Sequence, residues 1–413
     1  MTEITLKDRV DAATSWPVVL LAVAAGMVGA CQVGKAAIAL PALRADLGMG
    51  LAAAGWVLSI FNLIGVAFGM ALGAGIGRWG DRRTLLLGLA LIAAAGLAGA
   101  AADGTASLLV ARLIEGIGFL MVIVGAPTMI ARLSRPGDLR LAFGIWGAYM
   151  PAGQALMILA APLILVPFGW RGLWIANAVL VAVFALVMKG ATSGLPEPAS
   201  RPSRSLLRDM RDTATAPGPL LLAAIFGCYS LQYLGVMGFL PTILIEREGF
   251  SPLVASELGA LAIAMNGVGN LAGGMLLQRG APRWSLIALA ASCMGAAALG
   301  IFLVKLPFPA IYTLYLAFSG IGGMLPASVL GAAPIQAPAP HLIPATNGLL
   351  VQGSNLGQVV GPPALGALAA SVGGWSWSPS VVTTFAAIAV LLALVLRRRE
   401  QRYAPAQAQR APR

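Results

Sequence analysis

Ionisable residues inside long apolar runs are the first candidates for chemistry, because a charge at bilayer depth costs about 3 kcal/mol or more and persists where a partner or a cavity accepts it. Three stand out: Lys35 in QVGKAAIALPALRADLG, and Arg112 with Glu115 in ARLIEGIGFL. Lys35 precedes Arg44 by nine residues, which places it roughly 13 Å below that end of a helix. Two readings are open for it. Its ammonium faces an internal cavity, or it snorkels outward on a stem of about 6 Å, which falls short of water unless the helix tilts. Arg112 and Glu115, at i and i+3, are spaced to pair on one helix. Alone they form a neutral buried pair; with Lys35 beside them they leave a net positive charge suited to an anionic solute. A carboxylate whose cationic partner can be taken away is also a proton carrier. If a solute anion competes for Arg112, Glu115 is freed to protonate, and anion and proton travel together as symport. Glu115 is thus the leading coupling carboxylate and Glu257 the second, although Glu257 also reads as a helix-start carboxylate at the outer surface.

Uncharged polar side chains mark further candidates. Gln32, Tyr149, Gln154, Tyr229, Gln232, Tyr233, Asn266, Tyr315, Gln352 and Asn355 all interrupt apolar sequence, and an amide or hydroxyl in lipid must find a hydrogen-bond partner. Interhelical bonding accounts for some of them and contact with a solute for the rest. His341, the one histidine, falls in a loop and offers no relay. Cys31, Cys228 and Cys293 lie apart in apolar runs, so neither a disulfide nor a metal site is expected. No nucleotide-binding or hydrolase motif occurs, which leaves gradients as the energy source and predicts no enzyme activity and no cofactor.

The elements that must hold these residues follow from composition. Of 413 residues 59% are hydrophobic and 10% charged, with mean hydropathy +0.86, which excludes a soluble fold. Twelve runs are long enough to cross a membrane as helices, near 16–41, 51–77, 84–101, 106–131, 140–167, 170–189, 219–243, 252–277, 284–304, 309–332, 343–370 and 377–396. The 51 glycines suit close helix packing in lipid. A Pro/Ser/Arg-rich stretch parts the sixth run from the seventh. The expected organisation is a tail 1–15, a six-helix bundle 16–189, a linker 190–218, a second six-helix bundle 219–396 and a basic tail 397–413. Most of the 27 Lys and Arg fall on the side shared by both termini, which predicts that the termini are cytoplasmic. The net charge of +12 is therefore a topology signal and no pointer to nucleic acid. The pair Gly169-Trp170 recurs as Gly374-Trp375, in keeping with two parallel repeats. The N-terminus lacks the short apolar core and cleavage site of a signal peptide, so the first helix is expected to remain.

The loop GAGIGRWGDRRTLLLG, from Gly73 to Gly88, resembles the signature G-x-x-x-D-R-x-G-R-R between helices two and three of the major facilitator superfamily. Gly73, Arg78, Gly80 and Arg82 fit, and Arg83 follows directly; Gly77 replaces the usual Asp, and Asp81, standing where an Arg is usual, supplies an acid in a shifted place. RLIEGIGF is similar to the fourth-helix pattern R-x-x-Q-G-x-G with Glu115 in place of Gln, and AIALPALRADLG to the end of the first helix. WGAYMPAGQA, with Pro151, and GQVVGPPALG, with Gly361 and Pro362, resemble the gating segments of the two halves. GIWGAYMPAG and FGWRGLW are similar to the cyanate and nitroimidazole-type transporters. The resemblance implies an all-α fold of twelve helices in two pseudo-symmetric bundles that rock about a central site, with Arg78, Asp81, Arg82 and Arg83 as a latch. Gln32 stands where many drug/proton antiporters of the superfamily carry an acid, and an amide cannot titrate.

The expected function is a secondary transporter of the inner membrane, acting as a monomer in the bilayer on a small solute, with an organic anion as the first class. The alternative is a drug/proton antiporter exporting lipophilic compounds. A receptor or scaffold would need a sizeable extramembrane domain, and the sequence offers none.

Overall fold

The computed structural model describes residues 14–135, 137–195, 206–339 and 342–408, without the side chains of 72–79, Arg140, Leu206 and 402–408. The side chain of Arg78 and all of His341 thus lie outside the described residues. Every described element is helical. In chain order they are α1 (Trp16–Leu47), α2 (Leu51–Ser59, a tight turn Ile60–Asn62 and Leu63–Trp79), α3 (Asp81–Ala100), α4 (Thr105–Leu133), α5 (Leu139–Trp146 and Tyr149–Ala160), α6 (Pro162–Ala191), α7 (Pro217–Met237 and Leu240–Glu246), α8 (Pro252–Gln278), α9 (Arg283–Leu303), α10 (Phe308–Gly322, Met324–Leu330 and Ala333–Gln336), α11 (Ile343–Ser371) and α12 (Ser378–Ala408). A short helix, Leu206–Ala214, lies in the linker.

Among the described residues eleven helices are long and apolar enough to cross a membrane. The twelfth expected crossing, α11, has 29 residues but is diluted by Asn347, Gln352, Ser354, Asn355 and Gln358. Packing removes most of the penalty. α11 is wedged between α7 and α2, so Ser354 and Asn355 are buried and Gln352 and Gln358 partly so, while Asn347 near its start is exposed. α6 is broken at Gly169, whose φ of 65° and ψ of −175° suit glycine alone. Residues 162–168 therefore continue α5, and the sixth crossing begins at Trp170. α12 runs on to Ala408, so the basic segment expected as a tail from 397 is helical. Arg and Glu are good helix formers, and Arg397 lies over the Trp284 ring at 4.6 Å while Glu400 pairs with Arg283 at 3.6 Å.

Within the first six helices α3 packs on α4 and α6, and α1 on α4 and α5; within the last six α7 packs on α11 and α12, and α9 on α10 and α12. The halves meet along α2 with α11 and along α5 with α8. Glycine permits the closest of these approaches. A Cβ on Gly353, Gly357 or Gly361 of α11 would stand 2.3, 2.1 and 2.3 Å from the carbonyl oxygens of Ala223, Gly227 and Leu231 on α7. Spaced four apart, the three glycines of α11 let its backbone run close to that of α7 as a continuous seam.

Gly357→Ala should therefore lower stability by about 1–3 kcal/mol through overpacking. Gly274→Ala, where a Cβ meets nothing within 4 Å, should be neutral. Thermal unfolding of both variants in detergent checks this; equal midpoints would mean that the α7–α11 seam is looser than described.

Candidate functional site

Helices α1 and α4 bring the intramembrane charges to one point, with α6 beside them. Lys35 Nζ donates to Glu115 Oε1 at 2.6 Å, and Arg112 Nη1 donates to Glu115 Oε2 at 2.5 Å. All three side chains are 0% exposed. One carboxylate thus clamps two cations, roughly 15 Å into α4. Lys35 neither snorkels nor faces an open cavity, because the carboxylate on the neighbouring helix is within its reach and the headgroups are not.

The backbone completes the cage. Arg112 Nη1 also donates to Gln32 O at 3.1 Å, and its Nε donates to Val57 O at 3.2 Å. Val57 precedes the Ile60–Asn62 turn that interrupts α2, and the guanidinium lies over the Phe61 ring of that turn at 4.7 Å. Gly116, one residue after Glu115, is where α4 touches the turn; a Cβ there would stand 2.0 Å from Phe61 O. On the other flank Gln32 Nε2 donates to Asn177 Oδ1 at 2.7 Å, Lys35 Nζ reaches the same oxygen at 3.5 Å, and the ammonium sits 4.6 Å above the Trp174 ring. Asn177 and Trp174 of α6 escaped the sequence reading, although the lone amide of that helix, in WIANAVL, carried the same signal as the other intramembrane amides.

The remaining polar candidates gather elsewhere. In the second half Asn266 Nδ2 donates to Tyr229 Oη at 2.7 Å and to Ser319 O at 3.1 Å, and Tyr229 stacks on Tyr233 with centroids 5.5 Å apart. Gln232 Nε2 donates back to Cys228 O at 2.8 Å, and Tyr315 is buried. At the seam Gln352 Nε2 donates across the halves to Val66 O at 2.8 Å, while Asn355 packs on Gly65. Tyr149 stacks on Trp146 at 4.2 Å beside Gly26 of α1.

Between the halves lies a cavity of about 10 Å³, lined mainly by Val33, Leu58, Ile158, Met237 and Ile263, with Gln154 and Tyr233 as its polar members. It has room for about one water. Val33, Gly34 and Ala37 of α1 face it, whereas Gln32 and Lys35 sit on the opposite side of that helix among α4 and α6. The charges expected to line the solute path therefore stand behind α1, inside the first half.

Both ends of the bundle carry ion pairs. At the basic end Asp81 is buried and accepts from Arg132 Nε at 2.8 Å and Nη2 at 3.1 Å. Arg82 Nε donates to Thr192 Oγ1 at 2.9 Å, so the signature loop ties α3 to the ends of α4 and α6. Arg83 has a partner as well. At the opposite end Arg44 Nη1 contacts both oxygens of Glu246 at 2.6 Å, joining α1 to α7 across the halves. Asp46 there accepts from Trp170 Nε1 at 2.9 Å and from Arg171. Pro151 packs on Gly267 and Pro362 on Gly55, so both prolines expected to gate touch a glycine of the other half. Glu257 is exposed near the start of α8, which leaves Asp81 and Glu115 as the buried carboxylates among the described residues.

Residues 18–349 match the family described as the Major Facilitator Superfamily. The chain belongs to that superfamily. It is a multi-pass membrane protein. The puromycin resistance protein pur8 of Streptomyces alboniger is 29% identical over 269 residues, covering 61% of this chain and 50% of that protein. The tetracenomycin C resistance and export protein of Streptomyces glaucescens is 32% identical over 174 residues, covering 42% of this chain and 32% of that protein. This chain thus spans half or less of the length of these relatives. Among solved structures, a bacterial homologue of the human lysosomal transporter Spinster, inward-facing and occupied, superposes with TM-score 0.76 at 17% identity over 93% of this chain and 97% of that one. The nucleoside transporter NupG, solved as a point mutant, gives 0.72 at 15% over 92% and 99%. These two relatives are named for antibiotic resistance, and the likeness to cyanate and nitroimidazole-type transporters drawn from short strings finds no support in them.

The clamp makes opposite demands on its members. Glu115→Leu strands two buried cations and should destabilise this superfamily member by about 3–5 kcal/mol, whereas Lys35→Met leaves the neutral Arg112–Glu115 pair and should fold as well as the parent. Yield and melting temperature after detergent extraction compare the two. Equal behaviour would mean that the three charges do not act as one buried group.

Proposed function

We propose that the protein is a proton-driven exporter of lipophilic, drug-like compounds, working by alternating access between its two halves. The observation that carries this reading is the separation of charge from the central path. The cavity between the halves is walled by Val33, Leu58, Ile158, Met237 and Ile263, while the two cations that favoured an organic anion are spent on Glu115 behind α1. An apolar wall with a few polar groups suits a lipophilic ligand. The names of the relatives, which speak of resistance and export, support the same direction. With no anion drawn to Arg112, the symport expected from such competition gives way to exchange of drug for proton. The basic end, with Arg82, Arg132 and Arg283, is proposed to face the cytoplasm of a cell whose inner membrane holds the protein. Gln154 and Tyr233 are proposed to orient the ligand, and the Lys35–Glu115–Arg112 clamp to register the proton.

Puromycin is a suitable probe. Inside-out vesicles containing the protein should concentrate it when a pH gradient, acid inside, is imposed, and should lose it when the gradient is collapsed. Glu115→Gln should abolish that accumulation while the drug still equilibrates downhill. Indifference of uptake to the gradient in vesicles of the parent protein would overturn proton-driven export, and accumulation by Glu115→Gln equal to the parent's would remove the clamp from the coupling.

A further inference from the structure

The clamp holds one cation more than it has carboxylates, and none of its members shares the excess with water, since Lys35, Arg112 and Glu115 are each 0% exposed. An unbalanced buried charge is costly, so a group able to lose it gains by doing so. Arg112 cannot, because a guanidinium keeps its proton in proteins. Glu115 already accepts from both cations in its ionised form. Lys35 is the member that can change. We propose that Lys35 is the proton-carrying residue of this transporter, alternating between an ammonium paired to Glu115 and a neutral amine, with Glu115 remaining ionised against Arg112 throughout. This rests on the proton-driven reading above and moves the carried proton from the carboxylate to the amine.

An amide pair beside Lys35 can face either form. In the present arrangement Asn177 turns its Oδ1 toward the ammonium and toward Gln32 Nε2, at 3.5 and 2.7 Å. That leaves Gln32 Oε1 and Asn177 Nδ2 buried without partners. Turning both amides over exchanges donor for acceptor at the same positions. Asn177 Nδ2 then donates to Gln32 Oε1 and faces the lone pair of a neutral Lys35, while Gln32 Nε2 and Asn177 Oδ1 become the unpartnered atoms in their place. The position of Gln32, an amide on the face of α1 that carries Lys35, acquires a role here that an acid would not fill.

The other groups around Lys35 do not compete for the proton. On α1 the Cys31 thiol donates to Gly153 O at 3.5 Å. From α4 come Arg112 and Glu115; from α6, Trp174 and Asn177; from α2 and α3, Phe61 and Gly96, which touch the other clamp residues. Tyr149 of α5 lies further along α1, stacked on Trp146. In the cycle, hydronium entering from the acidic side gives a proton to the amine, forming an N–H bond and leaving water. On the other side that bond breaks, the nitrogen keeps the pair, and water takes the proton.

The sequence has four lysines, Lys7, Lys35, Lys189 and Lys305, so lysine carbon-13 spectra of the full chain in nanodiscs are simple enough to follow each ε-carbon with pH. One resonance, absent from Lys35→Arg, should move between its ammonium and amine positions within the pH span over which transport runs. Lys35→Arg keeps the charge but cannot release a proton, so puromycin accumulation driven by pH should be lost. Should Lys35→Arg fail to fold, Lys35→Met serves both to assign the resonance and to test accumulation. A Lys35 resonance fixed at the ammonium position, or full accumulation by either variant, would overturn the proposal. The resonance needs no drug, so it decides the state of Lys35 even where the parent vesicles fail to concentrate puromycin, a failure that would fall on the export reading instead.

Discussion

A carboxylate held between two cations in the middle of a hydrocarbon-embedded bundle fixes much of the first half. Glu115 can meet Lys35 and Arg112 at 2.6 and 2.5 Å only if α1 and α4 lie at one register and close together. That register recruits the rest. α2 must break at Ile60–Asn62 so that Val57 can offer its carbonyl to Arg112, and Gly116 must lack a side chain so that α4 can press on the turn. Pairing charges in lipid is less a source of stability than a condition imposed on every neighbouring helix, because any misfit leaves an ion without its partner.

The second half is organised by neutral hydrogen bonds and close backbone packing. Asn266, Tyr229 and Ser319 join α7, α8 and α10, and the Gly353, Gly357 and Gly361 seam lets α11 lie against α7. The halves therefore differ in how they are held: one around a buried set of paired charges, the other by neutral contacts. Alternating access needs one bundle to respond to a signal and the other to give it something to move against. The central cavity, shared by α1, α2, α5, α7 and α8, sits where a change in the register of α1 would be felt.

Contacts at the two ends are complementary. Arg44 and Glu246 join the halves at one end, whereas at the basic end Asp81, Arg82, Arg132 and Thr192 tie helices of the first half to one another. The first pair must part for that end to open. The second set lies within the first half, so under the proposed alternating access it would travel with that bundle.

Composition and hydropathy alone determined that the chain crosses a membrane many times as helices and placed eleven of those crossings closely, because the length of an apolar run must match the thickness of a bilayer. The signature loop and the Arg112–Glu115 spacing were legible for a like reason: helical periodicity is local, so i and i+3 must adjoin. Location within the bundle was not. Lys35 looks from the sequence like a cation facing a cavity or the headgroups, and the same residue at the same depth becomes the third member of a clamp once α1 is turned toward α4. Asn177, 142 residues from Lys35 along the chain, and Trp174 beside it enter the site only through the packing of α6. The polar helix α11 likewise reads as a poor membrane span until α2 and α7 cover it. Which face of a helix meets a solute, a lipid or a neighbour depends on its rotation about its own axis, and that angle is set by packing between helices far apart in the chain, where no local pattern records it.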